Sequence, residues 1–379
     1  FFCDDIYYMD RKKEQIERFQ YDFALGELST AGLPREGAAV PKQPKRKPAP
    51  ITSDHTREEY MANVETVRKG MKQGDFYEVV LRQSFKTTYS GSPSKLFNTI
   101  QQASPSPYEF ILQLGEEQLI GASPEMFVRV EGRRVETCPI AGTARRTGDP
   151  LQDAENIREL LDSRKEESEL TMCTDVDRND KARVCVPGTI KVLARRQIET
   201  YSKLFHTVDH VEGMLRPGFD ALDAFLTHAW AVTVTGAPKL WAMQFDEDNE
   251  RSPRRWYAGA FGVVGFDGSI NTGLTIRTIR MKDGLAEVRV GATCLFDSDP
   301  VAEDKECQVK AAALFQALRG DPPKPLSAVA PDATGSGKRV LLIDHDDSFV
   351  HMLADYFRQV GAEVSVVRHV HGLKMLADN

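Results

Sequence analysis

No run of apolar residues in this 379-residue chain is long enough to span a bilayer, which excludes a helical membrane protein. The first residues lack a signal peptide's basic start and apolar core. The six cysteines, Cys3, Cys138, Cys173, Cys185, Cys294 and Cys307, fall in no CxxC or paired spacing. Neither a disulfide framework nor a thiolate metal site is indicated, and reduced thiols in a cytoplasmic protein are the plain reading. Positive charge is also short: 49 Lys and Arg against 56 Asp and Glu give a net charge of −7, with no long basic run beyond Lys42–Lys47. Nucleic acid is therefore not an expected partner, and an anionic ligand would have to be held by locally gathered cations. No internal repeat is present. What remains, 41% apolar and 28% charged residues, is an ordinary globular balance with room for two or three domains.

Along the chain, "LPREGAAVPKQPKRKPAP" (33–50) reads as an exposed connection rich in Pro and Lys. From Thr52 a helical period follows, with Tyr60, Val64, Val67 and Met71 three or four apart. Strand-like stretches come next ("FYEVVLRQSF", "YEFILQLG", "QLIGAS", "MFVRVEGRRVETCPI"), then a helix over 152–174, then further β-rich stretches with Gly at the bends. Strands and helices in this non-alternating order imply an α+β domain of antiparallel sheets over 1–320. Residues 321–338, "DPPKPLSAVAPDATGSGK", read as a linker. Residues 339–379 read as strand, acidic loop, helix and strand, the opening of a doubly wound α/β domain. Both ends have the look of a longer polypeptide that has been cut.

Several stretches carry chemistry. In "DSDPVAEDKECQVKAAALFQALRG", Asp299 is a helix N-cap and Pro300 suits the first turn. Cys307, Ala311, Leu314 and Leu318 form its apolar stripe, and Glu303, Glu306 and Lys310 lie at the stripe's border. Glu306 and Lys310 could be a solvated i, i+4 pair or could bind something. A second acidic helix, "ENIRELLDSRKEESEL", offers Glu166, Glu167 and Glu169; carboxylates from two helices are what Mg²⁺ takes when it bridges a protein to an anion. "TVTGAPKLWAM" runs through Thr235 and Gly236 into a helix opened by Pro238, an anion site to which Lys239 adds charge. "GLTIRTIR" places Thr275 and Arg277 on one strand face, where the arginine is either an edge residue or a ligand. "TDVDRND" (174–180) reads as a capped helix end. His206 is either a proton donor or a core histidine, and Glu125 of "SPE" follows a Pro turn. "CPIAGTARRTGD" (138–149) is either a surface turn or a pocket wall in which Ala141 leaves room for a reagent.

Together "GDFYEVVLRQSF", "SPSPY", "GASPEMF", "PIAGT", "KEESELTM", "DRND", "TVTGAPK", "TIRT" and "SDPVAEDKE" resemble, in order and spacing, the chorismate-utilising enzymes, specifically anthranilate synthase component I, over about residues 51–318. The resemblance implies a sandwich of antiparallel sheets with outer helices. It also implies Mg²⁺ on Glu169 and Glu306 with Glu303 beside them, and chorismate held by Arg277, Lys310, Tyr257, the backbone around Gly291 and the Thr235–Gly236 turn. Glu125 matches a residue given a general-acid role, His206 one implicated in proton steps, and Ala141 and Thr143 lie in the catalytic wall. In the aminodeoxychorismate branch, position 141 is a lysine that attacks C2, so alanine leaves that volume to ammonia. "RVLLIDHDDSFVHMLADY" looks like the start of a class I glutamine amidotransferase, which implies ammonia from a fused or associated glutaminase; a homodimer is a further assembly the resemblance allows.

The chain departs from the family pattern at four places. Glu78 replaces a usual Gln, where water-using members carry a lysine base; Leu170 replaces a His; Thr293 replaces the second glycine of a "GAG" turn; and the N-terminal feedback segment is absent. The expected activity is anthranilate synthase, a Mg²⁺-dependent lyase of tryptophan biosynthesis, with Glu78 helping to deprotonate the incoming nitrogen. The alternatives are an aminodeoxyisochorismate synthase of phenazine pathways and a non-catalytic chorismate-binding relative.

Overall fold

The structure, a computed structural model, describes all residues except 1, 11, 36–43, 45, 48, 202–203, 321–332, 346–349 and 373–379. Most of the expected linker over 321–338 thus lies outside the described residues, as do parts of the 33–50 connection.

Two seven-stranded antiparallel sheets form the body. The first runs Ile140–Arg145, Leu204–Met214, Arg134–Thr137, Met126–Glu131, Ile270–Leu274, Ala260–Val264, with Lys191–Thr200 also paired to Leu204–Met214. The second runs Gly236–Ala237, Glu78–Thr88, Leu285–Cys294, Thr278–Lys282, Glu117–Ser123, Tyr108–Leu114, with Thr52–Ser53 paired to Glu78–Thr88. Among the described residues the α-helices are α1 Arg57–Gln73, α2 Pro93–Ala103, α3 Pro150–Asp162, α4 Arg164–Val184, α5 Ala221–His228, α6 Lys239–Asn249, α7 Pro300–Arg319 and, outside these two sheets, α8 Val350–Gln359.

Strand alternation decides where the core and the site sit. In Leu285–Cys294, Val288, Val290, Ala292 and Cys294 pack against Tyr60, Val64 and Val67 of α1, Leu96 and Ile100 of α2, and Cys307, Ala311 and Leu314 of α7. The intervening Glu287, Arg289, Gly291 and Thr293 take the opposite face. The Glu78–Thr88 strand does the same, with Val79, Leu81 and Phe85 in that core and the buried Glu78 and Arg82 on the other side. A second core joins Val128, Val130, Val135, Ile270 and Leu274 of the first sheet to Val184 of α4 and Ala221 and Ala224 of α5. At the C-terminal side, Arg339–Asp344 and Glu363–Arg368 are parallel strands with α8 between them, the expected β-α-β unit.

Three local expectations are corrected. The helix expected over 152–174 is two helices, because Ser163 is extended (φ −70°, ψ 114°) and its hydroxyl caps α4 at the Glu166 N–H. Residues 174–180 are not a helix end but lie inside α4, with Thr174, Asp177 and Asp180 buried. Arg277 is not on a strand: the chain leaves the first sheet after Leu274, Arg277 takes a left-handed φ of 49°, and the next strand begins at Thr278.

Candidate active site

The inward face of α4 carries Glu166, Glu169, Cys173, Asp177 and Asp180, spaced three and four apart, and brings acids to two different neighbourhoods. In the first, Glu166 and Glu169 meet Glu303 and Glu306 of α7. Lys310 Nζ lies 2.7 Å from Glu306 Oε1 and donates to the Gly291 carbonyl at 2.9 Å. Lys165 Nζ lies 2.9 Å from Glu303 Oε1, while the other Glu303 oxygen is buried without a partner. Expected at the border of the helix stripe, Glu303 is in fact 1% exposed.

Four carboxylates here meet two lysines. Burial, then Glu166 and Glu306, push Glu169 up to about 8, with a hydrogen bond from Thr293 among the opposing influences. Burial and the neighbouring acids also raise Glu166. Burial works against the charge on Glu306, but Lys310 beside it holds its carboxyl below the ordinary range. A divalent cation fits this deficit and the orphaned Glu303 oxygen. Among the described residues no three His, Cys, Asp or Glu side chains converge as metal ligands, so further donors would have to come from substrate and water, as is usual for Mg²⁺.

Facing these acids are the groups expected to hold an anion. Tyr257 lies against the backbone of Gly291, where an added Cβ would stand 2.6 Å from its hydroxyl; only glycine allows this approach. The Gly291–Lys310 bond ties that strand to α7. Arg277 Nη2 lies 3.0 Å from His206 Nε2. His206 Nδ1 lies 2.9 Å from the Gly142 carbonyl and 3.1 Å from Thr143 Oγ1. A carbonyl can only accept, so the Nδ1 proton is on that side and Nε2 is bare towards the guanidinium. Burial, then Arg277, lower His206 to about 4, so it is neutral and positions Arg277 rather than offering a proton.

The "PIAGT" stretch does border the acids. Ala141 is 4% exposed in the strand paired with Leu204–Met214, a bulge follows it, and a Cβ on Gly142 would stand 2.9 Å from Glu166 Oε2. Glu125 is buried, accepts from the Thr233 hydroxyl at 2.8 Å, and is pushed by burial up to about 8, with Lys310 and Arg277 among the nearby charges that oppose this. Thr235 is buried next to Gly236, whose missing side chain lets its strand close on Glu78: a Cβ would meet the Glu78 carbonyl at 2.2 Å.

Glu78 meets the Cys173 thiol at 3.9 Å, and burial, then Glu169, push its carboxyl well above the ordinary range. One expected role is corrected. Lys239 does not face the acids of α7: its ammonium lies 2.6 Å from Asp180 and 2.8 Å from the His228 carbonyl. Sequence reading missed Lys165, whose signal was a cation beside the acidic run, and Thr233, which only the fold brings to Glu125.

The model of a family described as chorismate binding enzyme matches residues 5–316. An anthranilate synthase of Azospirillum brasilense is 56% identical over 361 residues, covering 94% of this chain and 49% of its own length. An anthranilate synthase component 1 of Acetivibrio thermocellus is 37% identical over 291 residues, covering 77% and 59%. The solved structure of anthranilate synthase component I from Streptococcus pneumoniae TIGR4 matches with a TM-score of 0.71 at 29% identity, covering 82% of this chain and 72% of that one. The chain thus spans about half the length of the Azospirillum relative. No helix among the described residues is long and apolar enough to cross a membrane.

Proposed function

The chain belongs to the chorismate-binding enzyme family, and within it we propose that it forms the synthase part of an anthranilate synthase, turning chorismate and ammonia into anthranilate, pyruvate and water for tryptophan biosynthesis. The observation that carries this reading is that buried carboxylates of two helices and Glu125 lie within electrostatic reach of Lys310, and Glu125 of Arg277 as well. A substrate with two carboxylates, one reached through a divalent cation, answers both kinds of charge, and the 56% identical relative supports the choice of reaction.

Glu169 and Glu306, with Glu303 beside them, would hold Mg²⁺. Bound there, the ion would neutralise a substrate carboxylate and ease departure of the C4 hydroxyl. Arg277 and Lys310 take the substrate's carboxylate charge, with Tyr257, the Gly291 backbone and the Thr235–Gly236 turn as walls. Glu125 keeps its proton at neutral pH and gives it to the C4 oxygen, which leaves as water. Ammonia adds at C2 from the side that Ala141 leaves open, and the nitrogen then gives one proton to solvent, matching the one that Glu125 delivers. His206, through its bare Nε2, fixes the Arg277 guanidinium. Loss of the C2 proton and of the enolpyruvyl group as pyruvate then makes the ring aromatic.

Ammonia would come from a glutaminase that begins with the β-α-β unit at 339–368. In support, a match over 94% of 379 residues must run into that unit wherever it starts, and the relative is about twice as long as the match. The purified chain given chorismate, ammonium and Mg²⁺ should form fluorescent anthranilate and equimolar pyruvate. An aminated product without pyruvate would replace this reading with an aminodeoxyisochorismate synthase. Chorismate binding without turnover would make the chain a non-catalytic relative.

A further inference from the structure

Glu125 borders a second space that the reaction above does not use. A cavity of about 30 Å³ lies between Glu125, Thr137, Asp177, Asp180, His228 and Thr233. That is room for one water molecule, and Thr137, Asp177 and Asp180 offer it partners in a lining otherwise largely apolar, with Met126, Phe127, Pro139, Ala231 and Val232. The acids on its wall are tied on their far side. Lys181, fully buried, donates to Asp177 at 2.9 Å and to Thr137 at 2.5 Å. Asp180 bonds Lys239, whose side chain is 16% exposed and reaches the surface. His228 Nδ1 lies 2.7 Å from the Ala224 carbonyl, so its bare Nε2 is turned to Lys181 and Asp177.

Glu125 itself is 5% exposed and has one oxygen occupied by Thr233, so water reaches its carboxylate only narrowly. We propose that this cavity is the proton port of Glu125: one water held between Thr137, Asp177 and Asp180 relays protons from the buried Asp180 and its partly exposed partner Lys239 to the Glu125 carboxylate. The inference rests on the reading of Glu125 as the general acid. In each turnover Glu125 gives one proton to the C4 oxygen, which leaves as water. The cavity water then gives one to Glu125 and takes one from the Asp180–Lys239 pair, which recovers it from solvent. No bond other than O–H and N–H changes along the port, and nothing is oxidised or reduced. Burial raises both Glu125 and Asp180 above their ordinary values.

The test compares Asp180→Asn, which cuts the surface link, with Ala231→Leu, which fills the cavity from another wall, and with Glu125→Gln, all in the ammonium-dependent reaction of the full chain. Both port variants should lower kcat about tenfold at unchanged KM for chorismate and raise the solvent deuterium isotope effect on kcat, and imidazolium should restore Asp180→Asn. If both variants keep the wild-type kcat and isotope effect while Glu125→Gln is inactive, the port is wrong and the general acid stands. A fall in kcat with no change in isotope effect and no rescue marks a structural role and also overturns the port. A fully active Glu125→Gln removes the general acid and the port together.

Discussion

The same face of α4 carries two pairs of acids, each three residues apart, in opposite electrostatic circumstances. Asp177 and Asp180 each have a lysine, Lys181 at 2.9 Å and Lys239 at 2.6 Å. Glu166 and Glu169, nearer the helix start, face two further glutamates with only Lys165 and Lys310 to share among the four. Burial alone therefore does not separate a binding site from a structural network. A buried acid with a lysine beside it is met from within the chain, whereas one without takes up a proton or the charge of a ligand.

Removing one member of each group should separate them most sharply. Glu306→Ala should cut Mg²⁺-dependent turnover by about a thousandfold, the several kcal/mol that a bound cation supplies to the transition state, at a cost in stability of no more than about 1 kcal/mol, since the Lys310 pair it breaks is partly exposed. Equal turnover with and without Glu306 at limiting Mg²⁺ would mean that the first group is only a solvated helix edge.

The converse concerns stability. Asp177→Ala leaves Lys181, which is fully buried, without its carboxylate, and should cost about 3–5 kcal/mol in urea unfolding. Glu169→Ala removes a repelled carboxylate and should leave the unfolding midpoint unchanged or raise it. Equal losses from the two substitutions would erase the contrast.

How much of this was legible in the sequence depended on the range of the interaction. The α7 signals are local, and Asp299, Pro300 and the Cys307–Ala311–Leu314 stripe all stand as read. The break before α4 was readable too, since Ser163 with Glu166 three residues on is a capping pattern, but the leucines of α3 carried the helical period across it. Asp180 could not be told from a helix cap, because its partner Lys239 lies 59 residues away. Arg277 was placed by alternation along a strand, and alternation fails where one left-handed residue turns the chain. The motif resemblance named Glu125 but not its burial, which two sheets and Thr233 create together.

Ala141→Lys sharpens the comparison by adding a cation where the chain lacks one. Position 141 is buried one residue from Gly142, which borders Glu166, so the ammonium would reach the group that is short of countercharge and enter the volume assigned to ammonia. Where a bound Mg²⁺ supplies that charge instead, burial would leave the lysine as the neutral amine, whose tethering gives a large effective concentration beside C2, so anthranilate formation should fall about ten- to a hundredfold. Intact-protein mass spectrometry should then show a lysine–substrate adduct. Unchanged output with the same dependence on ammonium would mean that Ala141 only fills a strand.

The smallest effect is the pH dependence of Glu125, which lies between the two groups. Its carboxyl is raised from 4.5 to about 8, chiefly by burial, so between those values the folded chain keeps a proton that the unfolded chain has lost. The stability this group contributes is full below about pH 4.5 and is lost as pH rises through 8, at most about 1.4 kcal/mol per pH unit. His206 runs the other way: lowered from 6.5 to about 4, it favours folding as pH rises across that interval. The two slopes oppose each other between 4.5 and 6.5; between 6.5 and 8 Glu169 and Asp246, also raised to about 8, add to the Glu125 slope, so Glu125 is read there by difference. Urea midpoints measured across that window should fall less steeply for Glu125→Gln than for the parent chain, and kcat/KM of the parent should decline above about pH 8 as the acid loses its proton. Parallel slopes for the two proteins would mean that Glu125 is already ionised in the folded chain, and that the charge of Lys310 and Arg277 reaches it more strongly than its burial does.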